Sequence, residues 1–243
     1  MLAVLCVLLV GAATEAAIAF WRARQFCNGI AQPNALVEVA DRQVSAADLA
    51  QAYEPVLVWA AGFEYPPVAI IWYVREQGEM VLLAYRVVRE DERHPNRVIQ
   101  LVYGLWRRVY FGSHRDIEYI ELLVDRQSGA AQSIRFEKGE VQGTFVRHVP
   151  VELTLRDPER GLFARSGAGQ EAPDLLGGTR GERLLFTVET WNGLFEVKES
   201  SPEAGAEQGK RLPLVAGDTW LTFRFRMWRR SAGWLARPYG AGG

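Results

Sequence analysis

The run from Met1 to Trp21 constrains the chain most, because Glu15 is its only charged side chain. About 20 consecutive apolar residues are what a helix needs to cross the hydrocarbon of a bilayer. Trp21, Arg22 and Arg24 follow, an aromatic and two cations where a membrane interface would lie. The run therefore predicts a transmembrane helix over 1–24, with Glu15 near enough to the boundary to snorkel or to pair. Gly11-Ala12-Ala13 and Ala17-Ile18-Ala19 resemble signal-peptide cleavage sites, but the basic n-region is missing, so a retained anchor is expected. Two cues to orientation oppose each other. The arginines after the helix favour a cytoplasmic domain, whereas an apolar segment at the extreme N-terminus is what export machinery reads. The expectation is a single-pass membrane protein with its domain on the extracytoplasmic side.

Beyond that run, 243 residues of which 49% are hydrophobic can bury one sizeable core or two small ones. Lysine plus arginine (28) nearly cancels aspartate plus glutamate (29), which removes the positive field that nucleic-acid binding uses. No nucleic-acid partner is expected. The two cysteines, Cys6 and Cys27, lie inside the first run and just after it, so a disulfide framework and a cysteine zinc site are excluded by count.

The chain then divides into a linker and first strand (25–44), a β-rich domain (45–230) and a glycine-rich tail (231–243). Ala35 to Val39 reads as a short strand. Ser45 with Asp48 three residues on forms a shortened capping box, and Leu49, Ala52 and Tyr53 continue at helical spacing until Pro55. Val68 to Val74, Met80 to Val88 and Val98 to Tyr110 are rich in β-branched and aromatic residues and predict three strands. Gln77-Gly78 and Gln127-Ser128-Gly129 are hairpin signals, and Ala131 to Glu137 and Gly143 to Arg147 extend a meander. Further strands are expected at Arg183 to Thr190, Leu194 to Lys198 and Thr219 to Trp228. Regular turn signals and a single soluble helix predict a mainly β fold, an antiparallel sandwich or barrel with one short helix behind the anchor.

The segment Phe111 to Asp125 holds the chemistry. In an extended chain His114, Asp116 and Glu118 share one face, and an imidazole with two carboxylates is a reasonable ligand set for a divalent metal. The competing reading is a strand whose exposed face is charged against aggregation. His94 and His148 would join such a site only through the fold. Glu118 and Glu121 fall on opposite faces, which argues against a glycosidase-type acid pair. No G-x-S-x-G elbow or nucleotide fingerprint occurs, and Gly177-Gly178-Thr179 is too bare for a phosphate loop.

From Leu49 to about Ser133 the order of features resembles a β-rich family related to the fungal vacuolar protein sorting proteins. Leu49-Ala50, Tyr53, Pro55-Val56-Leu57, Glu64 and Pro67 resemble that family's opening, and His114, Asp116 and Glu118 resemble its H-E-G-D-W-E box. The box here is one residue short, has Ile117 in place of tryptophan and lacks the middle glycine. Ser166-Gly167-Ala168 stands where a later G-S-H-A segment would fall, without the histidine. If the box binds metal, the resemblance implies a reduced site here.

Two functional readings remain. The first is a non-catalytic accessory or structural subunit of a membrane complex, with lipid bilayer and other membrane proteins as partners. Its contact residues would be the tryptophans flanked by arginine with those arginines, Trp21, Arg22, Trp106, Arg107, Arg108, Trp228, Arg229 and Arg230, together with Trp234. The second is a metal-dependent hydrolase-like enzyme using His114, Asp116 and Glu118. A divalent metal is the one cofactor considered, and no catalytic residue is assigned.

Overall fold

The computed structural model describes residues 2–59, 63–91, 93–111, 116–143, 145–157, 162–165, 171–174, 185–188, 190, 193–197 and 212–217. The apolar N-terminus forms helix α1 (Leu2–Cys27). Its strongly apolar part ends at Val10. The remainder is alanine-rich, broken by Gly11, Thr14 and Glu15, and closed by Arg22 and Arg24. Among the described residues no helix is long and apolar enough to cross a membrane. This corrects the expected transmembrane helix over 1–24, and with it the single-pass placement and the extracytoplasmic side.

After α1 come a small hairpin of β1 (Leu36–Val39) and β2 (Arg42–Ser45), then helix α2 (Ala46–Ala52). Ala40 and Asp41 both have positive φ, 52° and 56°, which closes the hairpin with a two-residue turn of the primed type. The strand β2 was not expected, because alanine and aspartate give a weaker turn signal than Asn-Gly. Ser45 caps α2 as its sequence predicts: its Oγ accepts from the Asp48 N–H at 3.0 Å.

The main body is an eight-stranded sheet in the order β10-β9-β8-β7-β6-β5-β4-β13. Its members are β4 (Pro67–Gln77), β5 (Met80–Arg89), β6 (Asp116–Asp125), β7 (Ala131–Gln142), β8 (Phe145–Asp157), β9 (Leu162–Arg165), β10 (Glu171–Asp174) and β13 (Leu214–Ala216). A second sheet, β12-β11-β3, joins β3 (Val56–Trp59), β11 (Leu185–Val188) and β12 (Phe195–Val197). Two pairings are parallel, β13 with β4 and β11 with β3. The expected antiparallel sandwich or barrel did not include these parallel pairings.

Alternate residues of the central strands, among them Trp72, Val74, Leu83, Tyr85, Ile120, Leu122, Ile134 and Phe136, build one core with Leu57, Phe186, Val188 and Phe195 of the second sheet. Phe136 and Phe186 meet edge to face with centroids 5.4 Å apart, so the two sheets share this core.

The stretch Val98 to Tyr110, expected as a strand, is helix α3 (Arg97–Phe111). Val98, Leu101, Val102 and Leu105 recur at helical spacing, and Asn96 caps the start by accepting the N–H groups of Val98 and Ile99 at 3.0 and 3.3 Å. Period and cap together outweigh the β-branched composition. Thr219 to Trp228, also expected as a strand, lies outside the described residues.

Candidate functional site

Three neighbouring strands of the large sheet bring one acid or base each to a common point. Glu118 stands on β6 opposite Val87 of β5, two residues before the core residue Ile120, and is 1% exposed. Glu137 lies on β7 and is 2% exposed. On β8, His148 faces Gly139, which places it diagonally across from Glu137. The His148 Nδ1 lies 2.9 Å from Glu137 Oε2. One ligand atom from each of Glu118, Glu137 and His148 falls within 4.8 Å of the others.

Local backbone explains the convergence. The β7–β8 hairpin turns at Gly143, whose φ of +64° suits the left-handed region, and its register then sets Gly139 opposite His148. Gly139 has no side chain to spare: a Cβ there would stand 2.6 Å from Thr190 Cγ2 and 3.0 Å from Val146 Cγ1. Diagonal neighbours on paired strands are within reach of long side chains.

The donor set is one imidazole nitrogen and two carboxylate oxygens. Around one ion at about 2.0–2.2 Å, donors stand roughly 3–4 Å apart, so a spread of 4.8 Å closes with small side-chain rotations. The two carboxylates balance the charge of a divalent cation, and the imidazole favours a transition metal such as zinc over calcium and magnesium, which prefer all-oxygen sites; the carboxylates also suit manganese.

Of the residues expected to bind metal, Glu118 belongs to this group. Asp116 does not: it is Arg89's counter-ion at 3.1 Å, both side chains being almost fully buried. That arginine is held further by its Nε–H donating to the Tyr65 carbonyl at 2.8 Å and by the Phe63 ring at 5.1 Å. Gly193 makes room for it, since a Cβ there would overlap the guanidinium. His114 lies outside the described residues. His94 is buried elsewhere, its Nδ1 accepting the Asn96 N–H at 3.0 Å. Glu137 was missed because strand spacing within one segment cannot reveal a partner on the neighbouring strand. A hairpin register that pairs Gln142 with Phe145, and so Gly139 with His148, would have found it.

Among the expected contact residues, Trp21 is 58% exposed and Arg22 is exposed, both on α1. Trp106, Arg107 and Arg108 belong to α3, with side chains outside the described set. Trp228, Arg229, Arg230 and Trp234 lie outside the described residues.

No protein-family model matches the chain. No curated protein matches it. Solved structures similar to it include NLPPya in complex with glucosamine, at 9% identity and a TM-score of 0.38 over 70% of this chain and 71% of that one. A structure described as a toxin fold for microbial attack and plant defense has 11% identity and a TM-score of 0.38, over 76% of this chain and 82% of its own. Necrosis and Ethylene inducing Protein 2, from the causal agent of cocoa's Witches Broom disease, has 10% identity and a TM-score of 0.37, over 82% and 84%. These likenesses are too slight to assign a family.

Proposed function

We propose that the chain is a β-domain that binds a divalent cation through Glu118, Glu137 and His148, and that it serves as a binding or accessory domain. The observation that carries this is the meeting of two carboxylates and an imidazole within 4.8 Å, from three adjacent strands. Each carboxylate is almost wholly buried. Two buried carboxylates this close repel when both are ionised, and a bound cation, a shared proton or a protonated His148, 2.9 Å from Glu137, would offset them. An ion of zinc or manganese character would do so and would tie β6, β7 and β8 together.

A second reading follows from the same donor set. Three protein ligands leave a coordination position for water, which is the arrangement of catalytic sites rather than closed structural ones. His148 is 15% exposed, giving the site an opening. Ion-dependent hydrolysis is then the activity to assay.

The test is elemental analysis of the purified full chain, with thermal unfolding before and after chelation. At an ion concentration 100 times Kd the linkage is worth about 2.7 kcal/mol, or roughly 5–10 °C in Tm for a domain of this size. Zinc or manganese should restore the loss in the parent chain and not in His148→Ala or Glu137→Gln. The absence of bound metal, together with no Tm response to any of zinc, manganese, calcium or magnesium, would end the proposal.

A further inference from the structure

Helix α3 carries its apolar side outward. Val98 is 75% exposed, Leu101 77%, Val102 68% and Leu105 65%. Their spacing of three, four and seven residues sets them on one side of the helix. The half-buried positions Ile99, Gln100, Tyr103 and Gly104 fall on the other side. Gln100 fastens that side to the preceding loop, its Oε1 accepting the His94 N–H at 2.7 Å. A helix with a polar anchor inward and an aliphatic stripe outward is not using its amphipathicity for its own core.

The charge on the helix says what suits the stripe. Over its 15 residues α3 holds Arg97, Arg107 and Arg108 and no aspartate or glutamate, in a chain whose net charge is −1. An aliphatic stripe on an all-cationic helix is the combination that lies flat in the headgroup layer of an anionic bilayer, burying its apolar side at the acyl boundary. We propose that α3 is a lipid-surface helix that docks the domain on anionic phospholipid through Val98, Leu101, Val102 and Leu105. The contact is peripheral and needs no segment to span the bilayer. It is independent of the cation site.

The test is co-sedimentation of the full chain with phosphatidylcholine vesicles, alone and mixed with phosphatidylserine. The parent chain should bind the phosphatidylserine vesicles better, and added salt should weaken binding because screening reaches these distances. Leu101→Ser/Leu105→Ser should lower vesicle affinity about tenfold or more with an unchanged thermal transition, since both side chains are already in water. Val98→Ser/Val102→Ser serves as the second variant if the first unfolds. Replacing Arg97, Arg107 and Arg108 by glutamine should abolish the lipid preference. Equal sedimentation of parent and stripe variants with both vesicle types would overturn the proposal and assign any binding to α1, where Val7, Leu9 and Val10 are exposed as well. It would also be overturned if the parent ignores vesicles and sediments as a dimer that the stripe variants dissociate.

Discussion

Arg86 on β5 and Glu121 on β6 meet at 2.6 Å with side chains only 6% and 0% exposed. The guanidinium also lies over the Tyr119 ring, 5.5 Å from its centroid. Removing one partner of a buried pair strands the other charge, so Glu121→Ala should cost about 3–5 kcal/mol. Arg86→Met/Glu121→Leu, which removes both charges and keeps the volume, should recover most of that. Urea unfolding of the parent, both single variants and the double variant gives the coupling directly. A double variant as unstable as Glu121→Ala would show that the loss comes from packing and not from charge.

Protons compete with an ion for the Glu118, Glu137 and His148 ligands, and binding must release them. The gain in Tm on adding zinc should therefore shrink steadily as the solution is acidified. Zinc titrations in two buffers of different ionisation enthalpy should give different heats, the difference reporting the protons released. Identical heats would mean that the ligands are not deprotonated on binding.

Tyr85 is wholly buried, and its hydroxyl donates to the Ala50 carbonyl of α2 at 2.8 Å. Burial pushes its pKa well above 10.0, and nearby Glu54 adds to the effect. A folded pKa above the unfolded value near 10 means that stability from this group is complete below about pH 10 and is lost as pH climbs towards the folded value. Tyr85→Phe should cost about 1–2 kcal/mol at neutral pH, because a buried acceptor loses its donor. The same variant should lose less stability on alkalinisation, read as a flatter decline of Tm above pH 10.

Asp125 closes the β6–β7 turn. Its Oδ1 accepts the Ser128 N–H at 2.8 Å and the Ser128 hydroxyl at 2.7 Å. The Ser128 backbone bond first, then the hydroxyl bond, lowers its pKa below 3.8. A depressed folded pKa stabilises the fold above the unfolded value near 3.9, and that contribution disappears as pH falls through the folded value. Ser128→Ala should move the Asp125 carboxyl titration upward, as followed by carbon NMR. An unmoved titration would exclude the hydroxyl as a contributor.

What the sequence revealed divides along physical lines. Turns at Gly78 and Gly129 were readable because their positive φ values, 62° and 70°, call for glycine wherever they occur. The cap at Ser45 was readable for the same local reason. Val98 to Tyr110 misled because valine and tyrosine suit a strand while their spacing suits a helix. The expected strands Ala131 to Glu137 and Gly143 to Arg147 proved to be the two arms of one long hairpin, Ala131–Gln142 and Phe145–Asp157. Charged Lys138 and Glu140 had disguised its continuity. At the candidate site Glu118 was legible from strand alternation. Asp116 was assigned to the same cluster although Arg89 claims it, and such pairings depend on which strands become neighbours. The first helix shows the limit of composition: an apolar run of suggestive length did not give a span.

The short strand β13 is bracketed by two backbone hydrogen bonds to β4, Ile70 N–H to Pro213 at one end and Gly217 N–H to the Trp72 carbonyl at the other, each 2.9 Å. Leu214 thus meets Ile70 only after the ribosome has made everything between them. At about 5–20 residues per second that interval is on the order of ten seconds. Throughout it the Ile70 to Trp72 part of one margin of β4, short of the stretch that Ile30 and Ala31 cover, offers its amides and carbonyls to any extended polypeptide nearby. The nascent protein passes through a sticky adolescence, and a chaperone that shields strand margins should raise its yield more than one that merely speeds collapse.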